Sequence, residues 1–150
     1  MDKSKYGKYI QTETEPDRPD LADIRHRILY LDNNVLPGAF YLSCCWYLKA
    51  SDKALGEGPH VHDFDEVITF IGSNPKDPHD LGGEIELWLG DEKHMLTKSC
   101  LIFIPKGLSH CPFFIRRAER PIFHFSTGPS KAYVKGKAKV YPHGNEEERK

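Results

Sequence analysis

Gly56-Glu57-Gly58-Pro59-His60-Val61-His62-Asp63-Phe64-Asp65-Glu66-Val67-Ile68-Thr69-Phe70-Ile71-Gly72 is the stretch on which the reading of this chain turns. It opens on turn-forming Gly and Pro, closes on Gly, and carries a β-rich run between them. Taken as a strand over residues 60–71, residues of equal parity share a face. His60, His62 and Glu66 then project together, along with Phe64, Ile68 and Phe70. Two imidazoles and a carboxylate continued by apolar side chains suit neither solvent nor a core, because each buried polar group needs a partner. A divalent metal satisfies all three at once, and this donor set suits Zn, Fe, Mn, Co or Ni. Asp63 and Asp65 have the opposite parity and are set aside as ligands.

A second segment, Cys100-Leu101-Ile102-Phe103-Ile104-Pro105-Lys106-Gly107-Leu108-Ser109-His110, runs an apolar strand into a Pro-x-Gly turn. Pro105 fixes its φ and Gly107 permits a positive one, so the turn can aim the chain back across a barrel. His110 emerges three residues beyond the glycine as the natural fourth ligand.

At these residues the chain resembles the cupin superfamily. Its first motif is Gly, five residues, His-x-His, three or four residues, Glu, six residues, Gly; His60, His62 and Glu66 match it. Its second is Gly, five residues, Pro-x-Gly, two residues, His, three residues, Asn; Pro105, Gly107 and His110 match. Ala54, Ser99 and Phe114 replace two glycines and the asparagine, and Gly72 falls one residue early. Those positions shape turns and packing, not coordination. The resemblance covers roughly residues 40 to 126. It implies a small antiparallel β-barrel of jelly-roll type, with a divalent transition metal (Fe, Mn, Zn, Ni or Co) held inside near one mouth. Three His and one Glu leave coordination positions open for water or substrate, which separates a catalytic site from a sealed structural one.

The rest of the chain agrees with an all-β domain. The 150 residues suffice for one domain. Twelve Gly and eleven Pro favour a turn-rich β protein over a helix bundle. Strand-like runs are expected at residues 28–31, 40–48, 60–71, 84–89, 96–104, 113–116, 121–126 and 133–141, with helices rare and a helix-period stripe conceivable only over 20–27. Residues 1–20 read as a polar N-terminal arm, 21–143 as the barrel domain and 144–150 as a charged tail. In the 133–141 run, Lys135, Lys137 and Lys139 fall on one face and suit a solvated or edge strand.

Charge and composition narrow the partners. Lys and Arg total 21 against 22 Asp and Glu, so no global field favours nucleic acid or an anionic membrane. No apolar run approaches the roughly 20 residues of a membrane span, and the polar start shows no signal peptide, so a cytoplasmic location is expected. Cys44, Cys45, Cys100 and Cys111 form no C-x-x-C pair and read as free thiols of a reducing compartment. Phe64, Phe70 and Phe114 are expected to line a substrate pocket. Glu86 and His124 are candidate acid–base groups, although Glu84 and Glu86 suit a solvated face and His124 a satisfied interior histidine. Arg116, Arg117 and Arg120 suit a solvated turn more than an anion clamp. The loop over 73–83 could overhang the pocket.

The function expected is that of a metal-dependent enzyme acting on a small oxygenated molecule: a dioxygenase, isomerase, lyase or decarboxylase. The alternative is a non-enzymatic ligand-binding or sensing module with a structural metal. A homodimer is expected from the superfamily's habit.

Overall fold

The structure, a computed structural model, describes residues 4–130. The 133–141 run with its Lys135, Lys137 and Lys139 stripe, His143 and the 144–150 tail lie outside the described residues.

Eight strands follow in chain order: β1 (Arg25–Leu31), β2 (Tyr41–Tyr47), β3 (Glu66–Gly72), β4 (Asp80–Leu89), β5 (Glu92–Lys98), β6 (Cys100–Ile104), β7 (His110–Ala118) and β8 (Ile122–Gly128). They form a five-stranded sheet, β1-β2-β8-β3-β6, and a three-stranded sheet, β5-β4-β7, every pairing antiparallel. The connection from β2 through β3 to β8, whose strand returns between them, is a jelly-roll weave. Among the described residues the two sheets face each other as layers and are not joined into one closed hydrogen-bonded barrel.

The boundaries depart from the sequence reading in three places, each for a local reason. The run over 96–104 divides into β5 and β6 at Ser99, whose backbone N–H turns to the carbonyl of His79 and whose hydroxyl donates to Pro78. No helix covers 20–27: one tight turn at Pro19–Leu21 gives way to β1, because Arg25 and Arg27 pair with Tyr47 and Cys45 across the sheet. Most consequential, β3 starts only at Glu66, so His60 and His62 precede it in a bent segment.

Period two decides the core. In β4, Ile85 and Leu87 are wholly buried while Glu84, Glu86 and Trp88 alternate outward. Ile115 and Phe113 of β7 face the same way, and from the opposite sheet Tyr47, Ile68, Phe70, Ile104 and Ile122 meet them. Aromatic rings lock edge to face at the centre, Tyr47 on Phe113 at 5.6 Å and Phe70 on Phe113 at 5.3 Å.

The outer face of the five-stranded sheet is different. Cross-strand partners share a face, and Trp46, Phe123, Phe125, Val67, Ile71, Leu101 and Phe103 all fall on it. Leu101 and Phe103 are 64% and 57% exposed.

Chemical denaturation checks this division between inner and outer faces. Ile85→Ala is expected to cost about 2–5 kcal/mol, whereas Glu84→Ala on the opposite face stays within about 0.5 kcal/mol of the parent.

Candidate metal centre

The two histidine-bearing segments meet through their backbones. His60 and His110 form a reciprocal antiparallel bridge, N to O 3.1 and 3.0 Å. Gly107, in the left-handed region at φ 84°, donates its N–H to the carbonyl of His62. A glycine suits that position because a side chain there would strain the turn. Asp65 and Asp63, set aside as ligands, pin the same turn from the other side. Asp65 accepts from the backbone N–H of Lys106 at 2.8 Å, and Asp63 pairs with the Lys106 ammonium at 2.9 Å.

The side chains converge accordingly. One ring nitrogen from each of His60, His62 and His110 lies within 4.8 Å of the others, and all three residues are buried. Glu66 is 2% exposed and reaches the same point, Oε1 lying 3.2 Å from His110 Nε2 and Oε2 3.5 Å from His62 Nε2. His60 Nδ1 is 2.7 Å from the Gly58 carbonyl and His110 Nδ1 2.9 Å from that of Leu108. A carbonyl can only accept, so Nδ1 of His60 and of His110 carries a proton and Nε2 is the ring nitrogen turned toward the cluster. His110 Nε2 and Glu66 Oε2 have no hydrogen-bond partner among the described residues. A buried ring nitrogen thus lies 3.2 Å from a buried carboxylate oxygen in the dry interior, a contact that a proton or a metal cation can bridge. The donor set of three neutral imidazoles and one carboxylate fits a divalent transition metal, with Nδ1-to-carbonyl bonds orienting the rings as ligating histidines require.

Phe64 stacks on the ring of His62, centroids 4.7 Å apart and planes 22° from parallel. Its own space exists because position 128 is glycine: a Cβ there would stand 2.7 Å from the Phe64 ring.

Next to this cluster lies a cavity of about 520 Å³. His60 and Glu66 open onto it, as do Tyr41, His124 and Ser126 from the five-stranded sheet and Arg25 and Arg27 from β1. Tyr41 and Ser126 are hydrogen-bonded hydroxyl to hydroxyl. Burial, and secondly the Glu66 carboxylate, raise the Tyr41 phenol far above its ordinary range, so it remains a protonated donor. Arg25 is clamped by Asp17 of the N-terminal arm through two hydrogen bonds, 2.5 and 2.7 Å. Burial opposes the Asp17 charge, but Arg25 and the Arg18 N–H outweigh it and hold its carboxyl below the usual value. Cys45 and Cys111, which also line the cavity, are free thiols; burial pushes Cys45 up to about 12 and Cys111 higher still, so both stay protonated.

The other expected site residues scatter. Phe70 is fully buried beneath the cavity, against Phe113 and His124. Neither Phe64, Phe70 nor Phe114 lines the cavity. Phe114 pairs with Glu86 on the outer face of the three-stranded sheet and packs under Arg116 at 4.3 Å, because the β7 register turns Phe113 inward instead. Glu86 shares that outer face and is held by Trp88 Nε1 at 3.0 Å and by Arg116, away from the metal cluster. Arg117 pairs with Glu119, and none of Arg116, Arg117 and Arg120 lines the cavity. The 73–79 loop is tied down by Ser73 to Pro121 and does not border the cavity, while residues 80–83 belong to β4. His124 does line it, with Nδ1–H donating to Thr69 at 3.0 Å. Arg25, Arg27, Tyr41 and Ser126 are lining groups that the motif reading passed over. The alternation Arg25-His26-Arg27 was the available signal, missed because the first strand run was started at residue 28.

No protein-family model matches the chain, and a search of curated proteins returned no match. Solved structures do resemble it. An oxalate oxidase in complex with the substrate analogue glycolate superposes with a TM-score of 0.54 at 13% identity, covering 85% of this chain and 61% of the oxidase. A conserved protein with a double-stranded β-helix domain from Klebsiella pneumoniae gives 0.50 at 14%, covering 84% and 90%. The fold they share with this chain is the double-stranded β-helix. Peruvianin-I, a cysteine peptidase from Thevetia peruviana latex, shares it at 0.56 and 13%, covering 89% and 79%. The chain spans only about three fifths of the oxalate oxidase, and likeness at these identities is likeness of fold. No helix among the described residues is long and apolar enough to cross a membrane.

His124 provides a pH test. Burial, above all, depresses its pKa from 6.5 to about 4, against the Thr69 hydrogen bond. The folded state therefore binds fewer protons than the unfolded chain between those values, and stability present above pH 6.5 is lost as pH falls toward 4. The shift corresponds to about 3 kcal/mol. In urea titrations at a series of pH values, wild type is expected to lose that amount relative to His124→Asn between pH 6.5 and 4; a constant difference would show that His124 is not buried in its neutral form.

Proposed function

We propose that this cupin is a metal-dependent enzyme for a small oxygenated substrate, its divalent ion held by His60, His62, His110 and Glu66. The observation that carries this is the convergence of three buried imidazoles, with Glu66 Oε1 lying 3.2 Å from His110 Nε2. Fe, Mn, Zn, Ni or Co fits these donors. Such an ion would supply Lewis-acid polarisation of a substrate oxygen and, where redox-active, chemistry with dioxygen. The reaction class is a dioxygenation, isomerisation, lyase or decarboxylation step. The chain's own groups bind and orient. Tyr41 offers a protonated hydroxyl beside Glu66, and neutral His124 offers Nε2 as an acceptor within the same cavity.

The alternative of a sensing or storage module with a structural metal requires a sealed coordination sphere. The cavity reaching His60 and Glu66 favours the enzyme, since substrate has a route to the ion.

Elemental analysis of protein purified without chelators is expected to show about one equivalent of a transition metal. His62→Ala and Glu66→Gln should lower metal affinity by more than the ~10–100-fold that loss of an outer-shell partner costs. Wild type that neither retains nor takes up a divalent ion would remove the proposal.

We further propose that the chain works as a homodimer in the cytoplasm, where its four unpaired thiols suit a reducing compartment. The outer face of the five-stranded sheet carries no Asp, Glu, Lys or Arg at its paired outward positions. The outer face of the other sheet is charged, so the uncharged face matches a second copy of itself. Five strands of about seven residues give a flat footprint of roughly 500 Å², of the order of the ~800 Å² per partner in stable interfaces. Light scattering should report a dimer for wild type and a folded monomer for Phe103→Glu; a Phe103→Glu dimer would overturn this arrangement.

A further inference from the structure

The cavity holds a second polar pole far from the metal cluster. Arg25 and Arg27 point inward from β1, where they stand opposite the buried Tyr47 and Cys45 of β2. Arg25 has its fork filled by Asp17. Arg27 does not. Its guanidinium has a 3.9 Å ion pair to the same Asp17 and a stacking contact 5.2 Å from the centre of the Tyr30 ring, and makes no side-chain hydrogen bond among the described residues. Asp17 turns both oxygens to Arg25, with Oδ1 also accepting from the Arg18 N–H, and stays 3.9 Å from Arg27.

The position of this unspent fork matters. Cross-strand pairing sets Arg27 in one row with Cys45, His124 and Phe70, three strand spacings from β3, or about 14 Å. Glu66 lies on the same face of β3, four residues before Phe70. Arg27 and Glu66 therefore occupy diagonal corners of the cavity, with Ser43, Ser126 and His124 between them. With Glu66 assigned to the ion, the lining carries four cationic side chains against three carboxylates. A planar fork with free donors in a concave, net-positive wall is built to receive an oxyanion, and a carboxylate matches its two parallel N–H groups.

We infer that the cavity takes a small organic acid whose carboxylate is received by Arg27 while its other end lies at the His60–Glu66 corner. This inference rests on the proposed metal enzyme for its chemical purpose and names the substrate class of that site. The Arg27 pole itself requires no metal. A monofunctional oxygen compound would engage only one corner; an acid with a second oxygen-bearing group several carbons away spans both. Arg27 in this role is a specificity-determining residue that touches substrate at the end remote from the reaction.

The test uses the full chain as purified, its metal content measured first, and a series of unbranched dicarboxylates from oxalate to adipate as probes. Calorimetric titration should show binding that strengthens with length as both corners are reached, and the dimethyl ester of the tightest binder should bind far more weakly. Arg27→Gln should raise the dissociation constant by about 10- to 100-fold, the worth of a charge-assisted paired hydrogen bond, with metal content unchanged. Arg27→Lys, which keeps the charge and loses the fork, should fall between. Equal affinity in Arg27→Gln, equal binding of the neutral ester, or no binding of any member of the series would overturn the inference. Running the series on His62→Ala separates the two readings. Binding that survives there and still requires Arg27 supports the acid pole independently of the metal, whereas binding indifferent to Arg27 refutes the pole even if the metal is present.

Discussion

The centre of this molecule is a buried imidazole nitrogen set against a buried carboxylate. His110 Nε2 and Glu66 Oε1 are 3.2 Å apart and buried, while His110 Nδ1–H donates to the Leu108 carbonyl. Left alone, that contact would cost several kcal/mol of unsatisfied polarity in a low-dielectric interior. It is held in place by main-chain hydrogen bonds that join the segment before β3 to the turn after β6. Those bonds are the His60–His110 bridge and the donations of Gly107 and Lys106 to His62 and Asp65. The backbone thus fixes the donors before any ligand arrives, and the order of the strands follows from having to bring the two segments together.

Around that centre the two sheets divide the labour. The three-stranded sheet gives its inward face to aliphatic packing through Ile85, Leu87 and Ile115, and its outward face to charge through Glu86 and Arg116. The five-stranded sheet reverses this. Its inner face is part core and part polar cavity wall, and its outer face is the apolar one. The polar wall is affordable because its groups are satisfied or kept neutral: Tyr41 by Ser126, His124 by Thr69, Arg25 by Asp17. An interior of this kind trades packing energy for a ligand-sized space with directed donors at both ends.

Much of the candidate site was legible in the chain itself. His60, His62, Glu66 and His110 meet as the motif spacing suggests, yet the parity argument for them reached the right set by a route the fold does not use. His60 and His62 lie in a bent segment before β3, where side chains do not alternate, and they converge because Asp63 and Asp65 bend that segment onto the Lys106 turn. Parity did work within regular strands, and it put Glu66, Ile68 and Phe70 on one face. Phe114, expected at the pocket, lies outside because the β7 register sends Phe113 to the core.

Residue types, their spacing and the density of turn formers were enough to establish an all-β domain and a set of metal-ligand side chains in two segments. Those are local properties, written in periodicity and in the conformational limits of Gly and Pro. The cavity wall was decided elsewhere. Whether Arg27 meets solvent or a ligand depends on which strand lies beside β1, and whether its fork is free depends on an aspartate ten residues earlier choosing Arg25. Contacts between distant segments carry no periodic signature, so only the folded chain could show them.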